Sequence, residues 1–127
     1  QQSSGSPMYR TGEVESLLTS VMRAGAKTWK LSQMQLNAKK VQLFKMSEDA
    51  ATEDERTVVK TRKEFELRNV DQLRLLDQEE AGGFYGFQFT FKGSGQRPLS
   101  IRLPTEAERD RWHSALQNNL DLLWSFH

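Results

Sequence analysis

Hydrophobic positions along the chain recur mostly in twos, the period of a half-buried strand. From Val14 the runs ESLLTSVMRAG, KTWKLSQMQLN and KKVQLFKM are short and β-prone, separated by Ala-Gly-Ala and Asn-Ala turn signals. Within the second run the apolar parity shifts from Trp29 and Leu31 to Met34 and Leu36. That break predicts a bulge or a bent strand turning a corner between sheets. TRKEFELRNV and DQLRLLDQE supply two further strands, the first alternating through Phe65 and Leu67. After Gly82-Gly83, Tyr85, Phe87, Phe89 and Phe91 alternate with Gly86, Gln88 and Thr90, placing four aromatics on one face. GSGQRP then turns the chain into Leu99, Ile101 and Leu103, which alternate with Ser100 and Arg102. The two runs predict an antiparallel hairpin with one buried face, Phe87 and Phe89 in the core.

The period changes after Pro104. Thr105 with Glu108 three residues on reads as a capping box, and Trp112, Ala115, Leu116, Leu120 and Leu123 follow at spacings of three and four. A helix over about 105–124 is expected, with Trp112 and Leu116 in the core. Leu122, Trp124 and Phe126 lie off that stripe and form a second apolar edge, the candidate surface for protein contacts. The opening QQSSGSPMYRTG has almost nothing to bury, so residues 1–12 read as a disordered tail, linker or cloning remnant and 13–127 as the domain. SEDAATEDER, residues 47–56, reads as a long exposed acidic loop.

Composition narrows the function. A chain of 127 residues bounds one domain. Zero cysteine removes thiol nucleophiles, disulfides and cysteine-containing zinc sites, and His113 and His127 are the only imidazoles, so no metal or cofactor is expected. No signal-peptide pattern and no apolar run of membrane-spanning length occurs. There is no Ser-His-Asp arrangement or paired-carboxylate spacing, and KGSGQRP lacks the phosphate-loop lysine and spacing, so an enzyme is not expected.

The formal charge of +1 hides an uneven spread. Residues 1–46 hold seven bases and two acids, residues 47–80 six bases and eleven acids, and the remainder five bases and four acids. A basic first third therefore stands beside an acidic middle. The polar face of the aromatic hairpin is too weakly basic for a nucleic-acid platform.

Three stretches together resemble the pleckstrin-homology (PH) domain. They are Trp29-Lys30-Leu31-Ser32-Gln33-Met34-Gln35-Leu36; Phe87-Gln88-Phe89-Thr90-Phe91 with Leu99-Ser100-Ile101-Arg102-Leu103; and the run from Thr105 to Leu116 with its Glu108-Arg109 pair and Trp112. The resemblance covers roughly residues 14–123. It implies a mainly β fold, a barrel of seven antiparallel strands in two near-orthogonal sheets capped by one C-terminal α-helix. Trp29 and Trp112 would be core residues, and truncating Trp112 would cost about 3–5 kcal/mol.

Family members that bind phosphoinositides place a basic residue late in the first strand, and in the second a Lys or Arg followed two residues on by Arg. Arg23 and Lys30 match the first two positions; Ser32 stands at the third. Losing that bidentate donor removes a charged contact worth about 1.5–3 kcal/mol, roughly ten- to a hundredfold in affinity. The connection between these strands is short, holding Ala24, Gly25, Ala26 and Lys27. Lys27, Lys39, Lys40 and Lys45 complete the candidate headgroup-facing cations.

In plan the chain is also similar to the inner-membrane-complex sub-compartment proteins of apicomplexan parasites, which N-terminal acyl chains hold on membranes. With no Met-Gly start and no cysteine here, such an anchor is expected to lie outside these residues. The expected function is a non-enzymatic scaffold or adaptor, cytoplasmic and peripheral on a membrane, with a degenerate phosphoinositide pocket and an unidentified protein partner. The alternative is a phosphoinositide- or anionic-lipid-binding domain that targets its protein to membranes. Neither nucleic acid nor metal is an expected partner.

Overall fold

A computed structural model of the chain describes residues 6–18, 29–46, 58–93 and 95–125. In order, the elements are β1 (Arg10–Leu18), β2 (Lys30–Leu36), β3 (Lys40–Met46), β4 (Val58–Glu66), a 3-10 turn (Leu67–Asn69), β5 (Val70–Leu76), β6 (Tyr85–Phe91), β7 (Leu99–Leu103) and α1 (Glu106–Ser125).

All strand neighbours pair antiparallel, and the ladder runs β4-β3-β2-β1-β7-β6-β5. The seven strands thus form one continuous sheet rather than two separate ones. β1 makes the junction: residues 10–16 pair with β2, residues 15–18 pair with β7, and Glu15 and Ser16 pair on both sides. The two halves close on one core. Val14, Met34, Leu36, Val41, Leu43 and Phe65 come from one half, Phe87, Phe89, Leu99, Ile101 and Leu103 from the other, and Trp112, Ala115, Leu116 and Leu120 from α1. Phe65 meets Phe89 and Phe91 edge-on at centroid distances of 5.0 and 4.9 Å, the geometry aromatic quadrupoles favour.

Several details differ from the sequence expectation. The parity shift in the second run marks no bulge: Ser32, Met34 and Leu36 point inward in unbroken period two. Register shifts fall instead between β3 and β4, at Leu43/Phe44 and Lys45/Met46. Trp29 and Leu31 belong to the opposite face, so Trp29 is half-buried and outside the core cluster, whereas Phe87, Phe89, Trp112 and Leu116 are fully buried within it. The stretch assigned to a tail supplies the start of β1, with Arg10, Thr11 and Gly12 opposite Leu36, Gln35 and Met34.

A buried carboxamide holds the segment before β1. Asn119 Oδ1 accepts from the Met8 N–H at 2.7 Å, and Asn119 Nδ2 donates to Met8 O at 2.9 Å and Asn37 O at 3.1 Å. The capping box closes on one side: the Glu108 N–H donates to Thr105 Oγ1 at 3.2 Å, while the Glu108 carboxylate turns to Arg111 and Arg10.

Candidate functional site

Antiparallel pairing sorts the candidate cations. Lys30 opens β2 and Lys45 lies one residue from the end of β3, so both stand at one end of the β2–β3 hairpin. Lys39 and Lys40 stand at its turn, where Asn37 Oδ1 accepts from their N–H groups at 3.0 and 2.9 Å. A seven-residue strand separates the two groups by roughly 20 Å, too far for one headgroup. Lys40 is also engaged, its ammonium 3.2 Å from Glu64. Gln42 and then Lys40 hold the Glu64 carboxyl below the usual carboxylate range. Arg23 and Lys27 lie outside the described residues.

At the Lys30–Lys45 end the register brings in a further cation, Lys60, that the sequence pattern did not single out. Ser32 lies opposite Lys45, and Lys45 opposite Lys60, so these share a face. Lys30 and Lys60 are exposed and Lys45 is half-exposed. The only sequence signal for Lys60 was its parity within VVKTRKEFE, and the register shifts of β3 against β4 scramble it.

Ser32 is turned into the protein. It is 0% exposed, Ser16 beside it 3%, and their hydroxyls hydrogen-bond at 2.9 Å. Both lie within reach of Lys30 O, Ser16 Oγ at 3.5 Å and Ser32 Oγ at 3.4 Å. Two hydroxyls therefore satisfy each other and one carbonyl, as buried polar groups must. The place where a third, bidentate cation is expected is a closed, neutral, internal contact. Among the described residues, Lys30, Lys45 and Lys60 bring to this end point-charge ammonium groups on flexible stems.

On the opposite face of the same strands, Glu15 pairs with both Leu31 and Arg102. The Arg102 guanidinium lies 4.4 Å from the Trp29 ring centroid and 4.4 Å from that of Phe84. Its Nε donates to Glu15 at 2.8 Å and its Nη1 to Ala81 O at 3.1 Å. The cluster ties β1, the residue before β2, the β5–β6 turn and β7 together, and it fixes the backbone from which Lys30 projects. Gly82 is required beside it: φ is +67°, and a Cβ there would stand 2.7 Å from Arg102 Nη1.

The candidate contact residues of α1 separate. Trp124 is 52% exposed, with the Lys92 ammonium 4.2 Å from its ring centroid. Leu122 is half-buried, and Phe126 lies outside the described residues. His113 is half-buried with Phe87 edge-on to its ring, and desolvation followed by the Arg109 charge lowers its pKa below 6.5. Among the described residues no three His, Asp or Glu side chains converge as a metal site, and no helix is long and apolar enough to cross a membrane.

The architecture has solved counterparts. The PH domain of ArhGAP27 superposes with a TM-score of 0.70 at 16% identity, over 89% of this chain and 99% of that one. This chain has the pleckstrin-homology fold. The N-terminal PH domain of human ARAP2 matches at TM-score 0.61 and 16% identity, over 94% of this chain and 84% of that one. A structure of Vav1 inhibited by an allosteric inhibitor matches at TM-score 0.64 and 14% identity, over 90% of this chain and 27% of that one. At such identities the likeness to these PH domains is one of fold. No protein-family model and no curated protein matches the sequence.

Proposed function

We propose that this chain is a non-enzymatic PH-fold interaction module that acts as a membrane-associated scaffold or adaptor, cytoplasmic and peripheral, through protein contacts and with a degenerate phosphoinositide pocket. The observation that carries the reading is the Ser16–Ser32 contact, which fills with two buried hydroxyls the wall from which a bidentate donor would project. Without that fork, inositol phosphates meet single ammonium groups, and each charged contact forgone costs about ten- to a hundredfold in affinity.

A second reading, weak attraction to anionic lipid, is favoured by Lys30, Lys45 and Lys60 standing at one end. Vesicle sedimentation separates the two. The protein is incubated at low salt with phosphatidylcholine vesicles, alone or carrying phosphatidylserine or phosphatidylinositol bisphosphate. The proposal expects little retention and no preference for the inositol lipid. Retention that prefers it, and is abolished by Lys30→Glu with Lys45→Glu, establishes the lipid reading in its place.

A further inference from the structure

The end of α1, the β2–β3 turn, the 3-10 turn and the end of β6 enclose a groove of about 550 Å³ lined by Lys39, Glu66, Arg68, Lys92, Leu123 and Trp124. It contains the turn of the β2–β3 hairpin and so lies at the far end from Lys30 and Lys45. Its cation-bearing walls are joined by main-chain hydrogen bonds, Leu67 N–H to Lys39 O at 2.8 Å and Lys92 N–H to Asn69 O at 2.9 Å. The groove is therefore largely pre-formed.

Its charge is unbalanced. Among the described lining residues the one carboxylate, Glu66, is ion-paired with Arg68 at 2.6 Å. Lys39 is exposed and has no carboxylate partner among the described residues, and Lys92 stands over the Trp124 ring. The last turn of α1 carries no base of its own, so part of this positive charge offsets the negative end of the helix. That accounts for cations near the helix end. It gives no reason to leave half an indole in water next to Leu123, which is packed on the core. An apolar floor with a cationic, aromatic rim is instead the composition of an interface anchor site.

We propose that this groove docks a segment of a partner protein in which an apolar side chain is flanked by carboxylates, the apolar group lying on Leu123 and Trp124 and the carboxylates meeting Lys39 and Lys92. The assignment rests on the protein-contact reading above and names its surface. Glu66 within the rim disfavours a bare polyanion, whereas a peptide can present an N–H group there. Concave geometry also suits one inserted side chain better than a flat lipid surface.

The probe is a short synthetic peptide with a Leu-Phe pair flanked by Asp and Glu, compared with a version carrying Lys at the acidic positions and one carrying Ser-Ser at the apolar pair. The readout is the three tryptophan indole N–H resonances, Trp124 being assigned through Trp124→Phe. The acidic apolar peptide is expected to shift the Trp124 resonance saturably and to leave Trp29 and Trp112 in place. Lys39→Glu with Lys92→Glu should weaken it about tenfold or more, and Trp124→Ala, whose binding is read from the fluorescence anisotropy of the dye-labelled peptide, about thirtyfold. Lys30→Glu with Lys45→Glu should change nothing. An unmoved Trp124 resonance, equal binding of the Lys peptide, or retention on phosphatidylserine vesicles that depends on Lys39 and Lys92 overturns the proposal. Inositol-lipid retention through Lys30 and Lys45 overturns the protein-contact reading instead and leaves the peptide result standing on its own.

Discussion

Replacing Arg102 tests whether the outer cluster organises the fold. Its side chain is only 14% exposed, with Nε 2.8 Å from a Glu15 carboxylate that is 38% exposed. Removing one partner of a charge-assisted hydrogen bond costs about 1.5–3 kcal/mol, and the exposure of Glu15 argues for the lower figure through solvent screening. The contacts with Trp29 and Phe84 add about 0.5–1 kcal/mol each. The bond to Ala81 O adds about 0.5 kcal/mol. One side chain makes all four contacts, so the terms do not add fully, and Arg102→Ala is expected to cost about 3 kcal/mol. For a chain of this length that lowers Tm by about 10 °C.

Arg102→Lys keeps the charge but loses the planar fork and the ring stacking, and should forfeit about half of the effect. Thermal unfolding followed by circular dichroism and calorimetry measures both, and a double-mutant cycle with Glu15→Gln isolates the ion pair. Tryptophan emission of Arg102→Ala should shift to the red as Trp29 loses its cover. A loss below about 1 kcal/mol for Arg102→Ala, within the range of an ordinary surface pair, or a fully stable Arg102→Lys, refutes the reasoning.

Three further outcomes follow from the same contacts. Asn119→Leu leaves Met8 N–H, Met8 O and Asn37 O unpaired; a loss of about 2–3 kcal/mol in denaturant unfolding and faster exchange of the Met8 amide are expected, and an unchanged Met8 exchange rate contradicts the pin. Gly82→Ala should cost more than Gly83→Ala, because both adopt positive φ but only Gly82 faces Arg102; the difference in Tm should vanish in an Arg102→Ala background, and its persistence there assigns the cost elsewhere. His113 has its folded pKa held below 6.5 by desolvation and by Arg109, with Asp110 opposing, so the unfolded chain binds the proton first. Stability should therefore fall as pH drops through 6.5 and level off once the folded imidazole also charges; urea midpoints measured between about pH 5 and 8 should lose that arm in His113→Gln, and a stability that rises on acidification in this window reverses the assignment.

What could be read before folding was local. Phe87, Phe89, Leu99, Ile101 and Leu103 alternate within two runs joined by a short turn, and Trp112 and Leu116 follow a capping residue that their own helix supplies. Period and punctuation suffice there because each buried residue is decided by its immediate neighbours. Trp29 was misplaced for the opposite reason. An apolar residue beside a strand is core or outer face according to its register, and here the outer face is attractive because Arg102, 73 positions later, arrives from β7 by way of β1. Within the candidate cations, Lys39, Lys40 and Lys45 are near in sequence, but the hairpin sends Lys45 to the other end, again a matter of pairing rather than of local pattern.

These long-range contacts bear directly on what the module can bind. Trp29 immediately precedes Lys30, and its ring is held beneath Arg102 on one face, while Ser32, two residues on, is held by Ser16 on the other. The start of β2 is thus pinned on both faces, and Lys30 and Leu31 lie between the two pins. A bidentate donor at position 32 would have to break the buried Ser16–Ser32 hydrogen bond and bring a guanidinium into the wall of the barrel. The far end faces no such obstacle: Lys39, Lys92 and Trp124 already project around an open groove. On the function proposed above, Ser32, buried at the one end, and Trp124, half-exposed at the other, rather than the count of lysines, are the residues whose substitution separates phosphoinositide from peptide binding.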